Sequence, residues 1–318
     1  MTRQWKSRRA SVFRLSLPAT SANLGPAFDA AALAFDLHLK LEARPAPDYS
    51  IRATGRDTDI CGNNLENHLI LKTYREVLRA EGQRSSPLAL EIHNEIPIGK
   101  GCGSSAAARL AGIALAKHYG NLRWSDARIV GEASRREHHP DNASACWMGG
   151  LTVARMAGEA EAQVACIRPK GKWPLLLAVP AQALSTEEAR RVLPAQYSRA
   201  DAVVNIQNSM LLLAAFTQGR ADLLSAALED RIHQPYRASL CPLLPALQEL
   251  AGTSGVLGAV LSGAGPSVLI FLDQRSKTPA KKIATKVAAH LMQKNLGAEL
   301  VLTAIAEKGA AGPNKTRS

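Results

Sequence analysis

Residues 97–108 read PIGKGCGSSAAA, three glycines and two serines set directly in front of an alanine-rich run. Glycine tolerates positive φ and lets a ligand approach the backbone, whereas Ala and Leu favour helix. The stretch therefore predicts a loop ending on a helix N-terminus, where unpaired N–H groups and the helix dipole favour an anion. Neither G-x-x-x-x-G-K-[ST] nor G-x-G-x-x-G fits it. What it offers is backbone N–H groups from Gly101 to Ser105 and the hydroxyls of Ser104 and Ser105, a set that suits phosphate and a hard cation. A glycine turn with a serine cap on a core helix would use the same letters.

The chain around this loop has 318 residues, 46% hydrophobic and 21% charged, enough for two domains with substantial cores. No apolar run reaches the roughly 18 residues that span a bilayer, and the basic start MTRQWKSRRAS lacks the apolar core of a signal peptide, so a cytoplasmic location is expected. Five scattered cysteines, Cys61, Cys102, Cys146, Cys166 and Cys241, include no C-x-x-C pair and read as reduced thiols. A net charge of +12 invites a nucleic-acid reading, but aromatics make up only 4% and the basic residues gather at the two ends. Without basic and aromatic interleaving, no nucleic-acid partner is expected, and none in a membrane.

Alternation in SVFRLSLPA (11–19) and LALEIHNEI (88–96) predicts half-buried strands, and NHLILKTYREVLRAEG (67–82) has helical spacing. A helix is predicted from Ser125 to about His138, ended by Pro140, with WMGGLTVARM returning to strand. WPLLLAV reads as a buried strand, followed by helices near 186–193, 200–217, 220–230 and 241–251. Then come strand GVLGAVL, turn SGAGPS, strand VLIFL, a Lys-rich helix and strand AELVLTAIA. Strands and helices mix without strict alternation, so the expected class is α+β in two lobes, 12–170 and 171–308. Residues 1–11 and 309–318 are expected to be flexible ends.

Three stretches together identify a family. The glycine loop, LPATSANLGPAFDAAALAFDL (17–37) and VLSGAGPSVLIF (260–271) resemble the three regions shared by the GHMP small-molecule kinases. The first is similar to the PATSANLGPGFD opening of the homoserine kinase branch, and HPDNASACWMGG (139–150), LSTEEARRVLPAQY (184–197) and HQPYRASL (233–240) resemble further segments of that branch. The similarity is collinear from about 12 to about 305. It implies a two-lobed GHMP kinase fold, an N-terminal lobe like ribosomal protein S5 domain 2 and a ferredoxin-like C-terminal lobe. It also implies ATP-dependent phosphorylation of the hydroxyl of L-homoserine, a step of threonine biosynthesis, with Mg²⁺, and dimerisation through the first lobe as a homodimer.

A zwitterion with one neutral hydroxyl needs an anion for its ammonium, cations for its carboxylate and polar groups beside the γ-phosphate. Asp29 and Asn23, six residues apart in NLGPAFD, are the candidates for the ammonium and hydroxyl end; an Asx-turn pair bracing the loop is the plain alternative. By resemblance, Arg190 and Arg237 grip the carboxylate, His139 and Asn142 orient the hydroxyl, and Gly263, with Gly265, lets the chain pass close to the substrate. The loop residues Pro97, Ile98, Gly99, Lys100, Gly101, Cys102, Gly103, Ser104, Ser105, Ala106 and Ala107, with Asn67 toward adenine, are assigned to ATP, and Ser105 with Glu132 to Mg²⁺. Lys100 as an extra phosphate cation is not part of the family pattern.

Phosphoryl transfer passes through a loose transition state, so positioning and charge neutralisation carry most of the catalysis and direct in-line transfer is expected. Asp29 is the one nearby carboxylate for the proton, yet an ammonium partner makes it a poor base, and base catalysis stays open. Three positions depart from the pattern: Ala27 for Gly, Cys102 for Leu and Ala145 for Pro. If position 27 requires positive φ, the turn must rearrange. Another GHMP kinase acting on a different small alcohol is the nearest alternative. A basic, non-catalytic RNA- or nucleotide-binding protein is the alternative from another class, against which the Glu132, Ser105 and Asp29 set speaks.

Overall fold

The computed structural model describes residues 12–253 and 255–310. Strand β1 (Phe13–Ala22) runs antiparallel to the long β2 (Ala31–Pro45), followed by β3 (Ser50–Gly55), helices α1 (Thr58–Gly62) and α2 (Leu69–Ala80), and β4 (Leu88–Asn94). The glycine loop then delivers α3 (Ser104–Tyr119), succeeded by α4 (Asp126–Glu137), α5 (Asp141–Met148), β5 (Leu151–Met156) and β6 (Ala162–Ile167). These strands form one sheet in the order β3-β4-β2-β5-β6, with β1 on β2. Alternation is plain in β4, where Leu88, Leu90 and Ile92 are buried and Glu91 and His93 are not. The alanine-rich α3 is buried on nearly every side, which explains a helix with so little amphipathic contrast.

The second half opens on β7 (Leu175–Val179) and a series of helices: α6 (Thr186–Arg191), α7 (Arg199–Gln218), a 3-10 turn Ala221–Leu223 leading into α8 (Leu224–Ala227), α9 (Gln234–Arg237) and α10 (Leu243–Gln248). A hairpin of β8 (Val256–Leu261) and β9 (Val268–Leu272), helix α11 (Ala280–Gln293) and β10 (Glu299–Thr303) complete it. The antiparallel sheet has the order β10-β7-β9-β8, the fourth, first, third and second strand of a β-α-β-β-α-β unit, the ferredoxin-like arrangement. Strand β7 is buried on both faces: Leu176 and Ala178 pack with Leu247, Ile270 and Leu291, while Leu175 and Leu177 face Phe216 and Phe271. Such two-sided burial is why its sequence is an unbroken apolar run.

The two sheets are not independent. One core cluster contains Leu33 and Leu110 from the first half and Leu177, Leu212 and Phe271 from the second. After β10 the chain returns to the first sheet: the amide of Asp36 donates to Ala304 O at 3.0 Å, and the amide of Ala306 donates to Ala34 O at 2.9 Å. Gly309 and Ala310, expected in the flexible tail, are buried, and the amide of Ala310 donates to Trp147 O at 2.9 Å. The expected flexible ends 1–11 and 311–318 lie outside the described residues. The expected helix 220–230 is a 3-10 turn and one short helical turn, and HPDNASACWM forms a helix that alternation and spacing did not reveal. Cys61, Cys102, Cys146 and Cys241 are free and buried, and among the described residues no helix is long and apolar enough to cross a membrane.

The sheets meet where the glycine loop crosses the β8–β9 turn. Gly101 has φ 76°, and a Cβ there would lie 2.1 Å from Ser262 O and 2.7 Å from Gly265 O, both backbone atoms. Gly101→Ala is therefore expected to destabilise the protein by at least about 2 kcal/mol in chemical denaturation, combining left-handed strain with a backbone clash. A change within about 0.5 kcal/mol would contradict this close packing.

Candidate active site

Three turns converge to form the site, the third being the β8–β9 turn with Gly263, Ala264 and Gly265. The first, between β1 and β2, places Asn23, Leu24 and Gly25 in succession at φ 70°, 48° and 83°, with Asp29 at 54°. Ala27 lies outside the left-handed region and its methyl group is buried, so the loss of glycine at that position requires no rearrangement. Asn23 braces this turn: its Oδ1 accepts from the Asp29 amide at 3.0 Å and its Nδ2 donates to Gly263 O at 2.9 Å. Each of its two polar atoms thus has one partner within the protein, and Asn23 and Asp29 both line the cavity described below.

The second turn is the glycine loop, whose carbonyls are held from outside. Lys100 O accepts from the Ser267 amide at 3.3 Å, Gly101 O from Ser262 Oγ at 2.8 Å, and Cys102 O from the Thr20 amide at 3.1 Å. Because C=O and N–H of one peptide point in opposite directions, the amides that follow these carbonyls turn away from the protein interior. Cys102, where the family has Leu, is fully buried beneath the loop, and burial pushes its thiol up to about 12, so it is inert. Lys100 does not face the site, since its Nζ donates to Ala181 O and it lines neither cavity described next.

Two cavities share the loop as a wall. One, of about 510 Å³, is lined by Ile60, Asn63, Asn67, Ile70 and Ile96. The other, of about 120 Å³, is lined by Asp29, His139, Asn142, Arg190, Arg237 and Gly263. Gly99, Ser104 and Ser105 line both. A ligand extended from the larger cavity along the helix N-terminus would bring its anionic end to the smaller one.

In the smaller cavity Arg190, near the end of α6, reaches both Asp29 oxygens with Nη2 at 2.8 and 2.9 Å. Arg237 on α9 is only 1% exposed, and its Nε donates to Ala189 O at 2.9 Å. Burial, with Arg190 close by, lowers its pKa. The ring of Phe28 lies under both guanidinium groups, 5.4 Å from Arg190 and 5.3 Å from Arg237. On the opposite wall, Asp141 Oδ1 accepts from His139 Nδ1 and from the Asn142 amide, both at 2.6 Å. Thr20 Oγ1 donates to Asn142 Oδ1 at 2.6 Å, which turns the side-chain NH₂ of Asn142 toward other partners.

One expected pairing is corrected. Glu132 is buried away from both cavities, its carboxylate taken by Arg135 and Arg136 at 2.9–3.1 Å. Burial alone would raise its pKa, but these two guanidinium groups outweigh that and lower it. The carboxylate beside Ser105 belongs to Glu137, whose Oε1 accepts from Ser105 Oγ at 2.7 Å and from Arg109 Nε. Five residues along α4 rotate a side chain by roughly 140° about the axis, so Glu132 and Glu137 cannot serve the same face. Asn67 lines the larger cavity, and His68 next to it holds the N-cap position of α2. Phe28, Glu137, Asp141 and Thr20 had not been singled out from the sequence. Glu137 and Asp141 were signalled only by adjacency to HHPDN, and Phe28 by adjacency to Asp29.

Comparison with known proteins follows the same outline. The family profile for the GHMP kinases N terminal domain matches residues 68–150, and that for GHMP kinases C terminal matches 212–292. The chain is 45% identical over 266 residues to a homoserine kinase from Solibacter usitatus, covering 83% of this chain and 86% of that protein. It is 37% identical over 302 residues to a homoserine kinase from Synechocystis, covering 94% and 97%. Its fold matches a crystal structure of homoserine kinase from Cytophaga hutchinsonii with a TM-score of 0.79 at 23% identity, covering 95% and 97%.

His139 gives the site a pH signature. Burial pushes its pKa down, but the hydrogen bond and charge of Asp141, with Asp29 and Glu137 nearby, outweigh burial and hold it above the ordinary 6.5. The folded protein thus keeps this proton at pH values where the unfolded chain has lost it, so the stability it contributes falls as pH rises above 6.5. The stability difference between wild type and His139→Gln is expected to shrink over that range in denaturant titrations. A difference independent of pH would contradict the His139–Asp141 interaction.

Proposed function

This chain belongs to the GHMP kinase family, and from that premise we propose how its residues carry out ATP-dependent phosphorylation of L-homoserine. The reaction yields O-phospho-L-homoserine, which leads toward threonine. The observation that carries the reading is the shared wall: Gly99, Ser104 and Ser105 border both cavities, so a nucleotide in one and an acceptor in the other meet at the α3 N-terminus. The larger, mostly apolar cavity takes the adenosine, with Asn67 at its edge. The loop amides hold the β- and γ-phosphates.

In the smaller cavity the zwitterion inserts between Asp29 and Arg190. Asp29 takes the ammonium, and Arg190 and Arg237 take the carboxylate in forked hydrogen bonds. This places the hydroxyl toward His139 and Asn142. Because its pKa is raised, His139 is biased toward the form that donates from Nε2, which suits orienting the hydroxyl oxygen or steadying phosphate charge rather than removing a proton. Transfer is direct and in line, with positioning and charge neutralisation as its main sources of rate.

The Ser105 hydroxyl and Glu137 carboxylate are hard oxygen donors 2.7 Å apart at the cavity shared with the phosphates, and this donor set fits Mg²⁺. Bound there, the ion supplies charge neutralisation for the β- and γ-phosphates. Arg109, on the same carboxylate oxygen, holds Glu137 toward Ser105. A cytoplasmic location and a homodimer belong to the same reading, the first expected from the sequence and the second from the family resemblance.

The reading is tested by coupled ADP release with ATP and Mg²⁺, comparing L-homoserine with L-serine, L-threonine, mevalonate and galactose. Release that requires homoserine is expected, and Arg190→Ala should lower kcat/KM for homoserine by roughly 10²-fold, the loss of a charge-assisted pair. Equal turnover of mevalonate or galactose would contradict it. Glu137→Gln is expected to raise the Mg²⁺ concentration for half-maximal rate at least about tenfold. Glu132→Gln should leave that requirement unchanged while costing about 2 kcal/mol of stability in thermal denaturation. Reversed behaviour of the two glutamates would overturn the metal assignment.

A further inference from the structure

We propose that His233 is a positioning residue for substrate recognition: fixed as a neutral imidazole with its proton on Nε2, it aims the guanidinium of Arg237 at the substrate carboxylate. The inference rests on the reading that Arg237 grips that carboxylate. His233 is fully buried at the start of α9, outside the cavity lining, and so contacts no ligand itself. Its surroundings set the tautomer. Nε2 faces two acceptors, Gly25 O at 2.8 Å and Asp230 Oδ2 at 3.4 Å, so it carries the proton. Nδ1 faces Arg237 Nη1 at 3.2 Å, and a guanidinium has only donors, so Nδ1 must offer its lone pair.

A second proton on this ring would set N–H against N–H. Burial and the Arg237 charge both disfavour that proton, outweighing the pull of Asp230, and lower the pKa. The ring is also clamped: Asp230 accepts from the amides of Ile232, His233 and Gln234 at 2.6–3.0 Å, and Phe28 stacks on the imidazole at 5.2 Å. Arg237 is therefore held at three points, by Ala189 O through Nε, by His233 through Nη1 and by Phe28 beneath its plane. The other nitrogen, Nη2, keeps its two N–H donors for the cavity that Arg237 lines.

The test uses the purified full chain and two acceptors, L-homoserine and 3-amino-1-propanol, which has the same ammonium and hydroxyl but no carboxylate. His233→Phe keeps the ring and its stacking but removes the acceptor; His233→Asn restores an acceptor near the place of Nδ1. The phenylalanine variant is expected to lower kcat/KM for homoserine by roughly 10- to 100-fold, mainly through KM, and to change that for 3-amino-1-propanol less than about threefold. The asparagine variant should recover most of the loss. Equal losses on both acceptors would mean that His233 is only a packing residue, and no loss on either would overturn the proposal outright. Arg237→Ala serves as the control: if it fails to discriminate between the acceptors, the carboxylate assignment of Arg237 itself is wrong. Where a variant does not fold, ¹⁵N imidazole shifts of the wild-type protein at pH 7 decide the matter. A proton on Nε2 alone supports the proposal, and a proton on Nδ1 excludes it.

Discussion

The site depends on a place where backbone meets backbone. Gly101 passes so close to Ser262 and Gly265 that no side chain fits between them, and Ser262 Oγ, the Ser267 amide and the Thr20 amide hold the loop from behind. Two of these partners come from the β8–β9 hairpin and one from β1, so the loop is clamped by both sheets. The shared core and the return of 304–306 to β2 keep the sheets in register while the loop amides are left for an anion. Preorganised donors of this kind do not have to reorient as charge develops on the phosphates.

Charge is arranged in two different ways on the two sides of the smaller cavity. Arg237 is buried and satisfied by Ala189 O, His233 and the face of Phe28, which offsets much of the cost of removing a guanidinium from water. The Asp29–Arg190 pair is different, with side chains 32% and 37% exposed, and such a pair contributes only on the order of 1 kcal/mol. In the proposed reaction a zwitterion exchanges with it at small cost, carrying its own ammonium to Asp29 and its own carboxylate to Arg190. One arginine is a fixed anchor and the other an exchangeable partner.

Much of this was legible in the sequence because local rules and tertiary context agreed. Ser125, Ser185 and Ser198 cap α4, α6 and α7 through their side chains, and the apolar run of β7 marked a strand buried on both faces. Helix α5 was not legible: its Pro-Asp-Asn start reads as a turn, and its helical state comes from burial among β1, β2 and β5. Nor does spacing alone say which of two glutamates on one helix faces a loop across the fold. Glu137 meets Ser105 only because α4 packs beside α3 and ends there, closed by His138 at φ 68°. The brace from Asn23 to the Asp29 amide was among the readings of NLGPAFD, but the bond from Asn23 to Gly263 O was not legible, since Gly263 is 240 residues away in the chain.

The central claim is that one glycine loop, walled on either side by a nucleotide cavity and an acceptor cavity, brings donor and acceptor together for a single in-line transfer. It is tested most directly by the stereochemistry at phosphorus, using ATP made chiral at the γ-phosphate with oxygen isotopes and analysing the phosphohomoserine formed. Inversion of configuration is predicted, as one displacement requires. Retention would reveal two displacements through a phosphorylated protein group and would contradict the account.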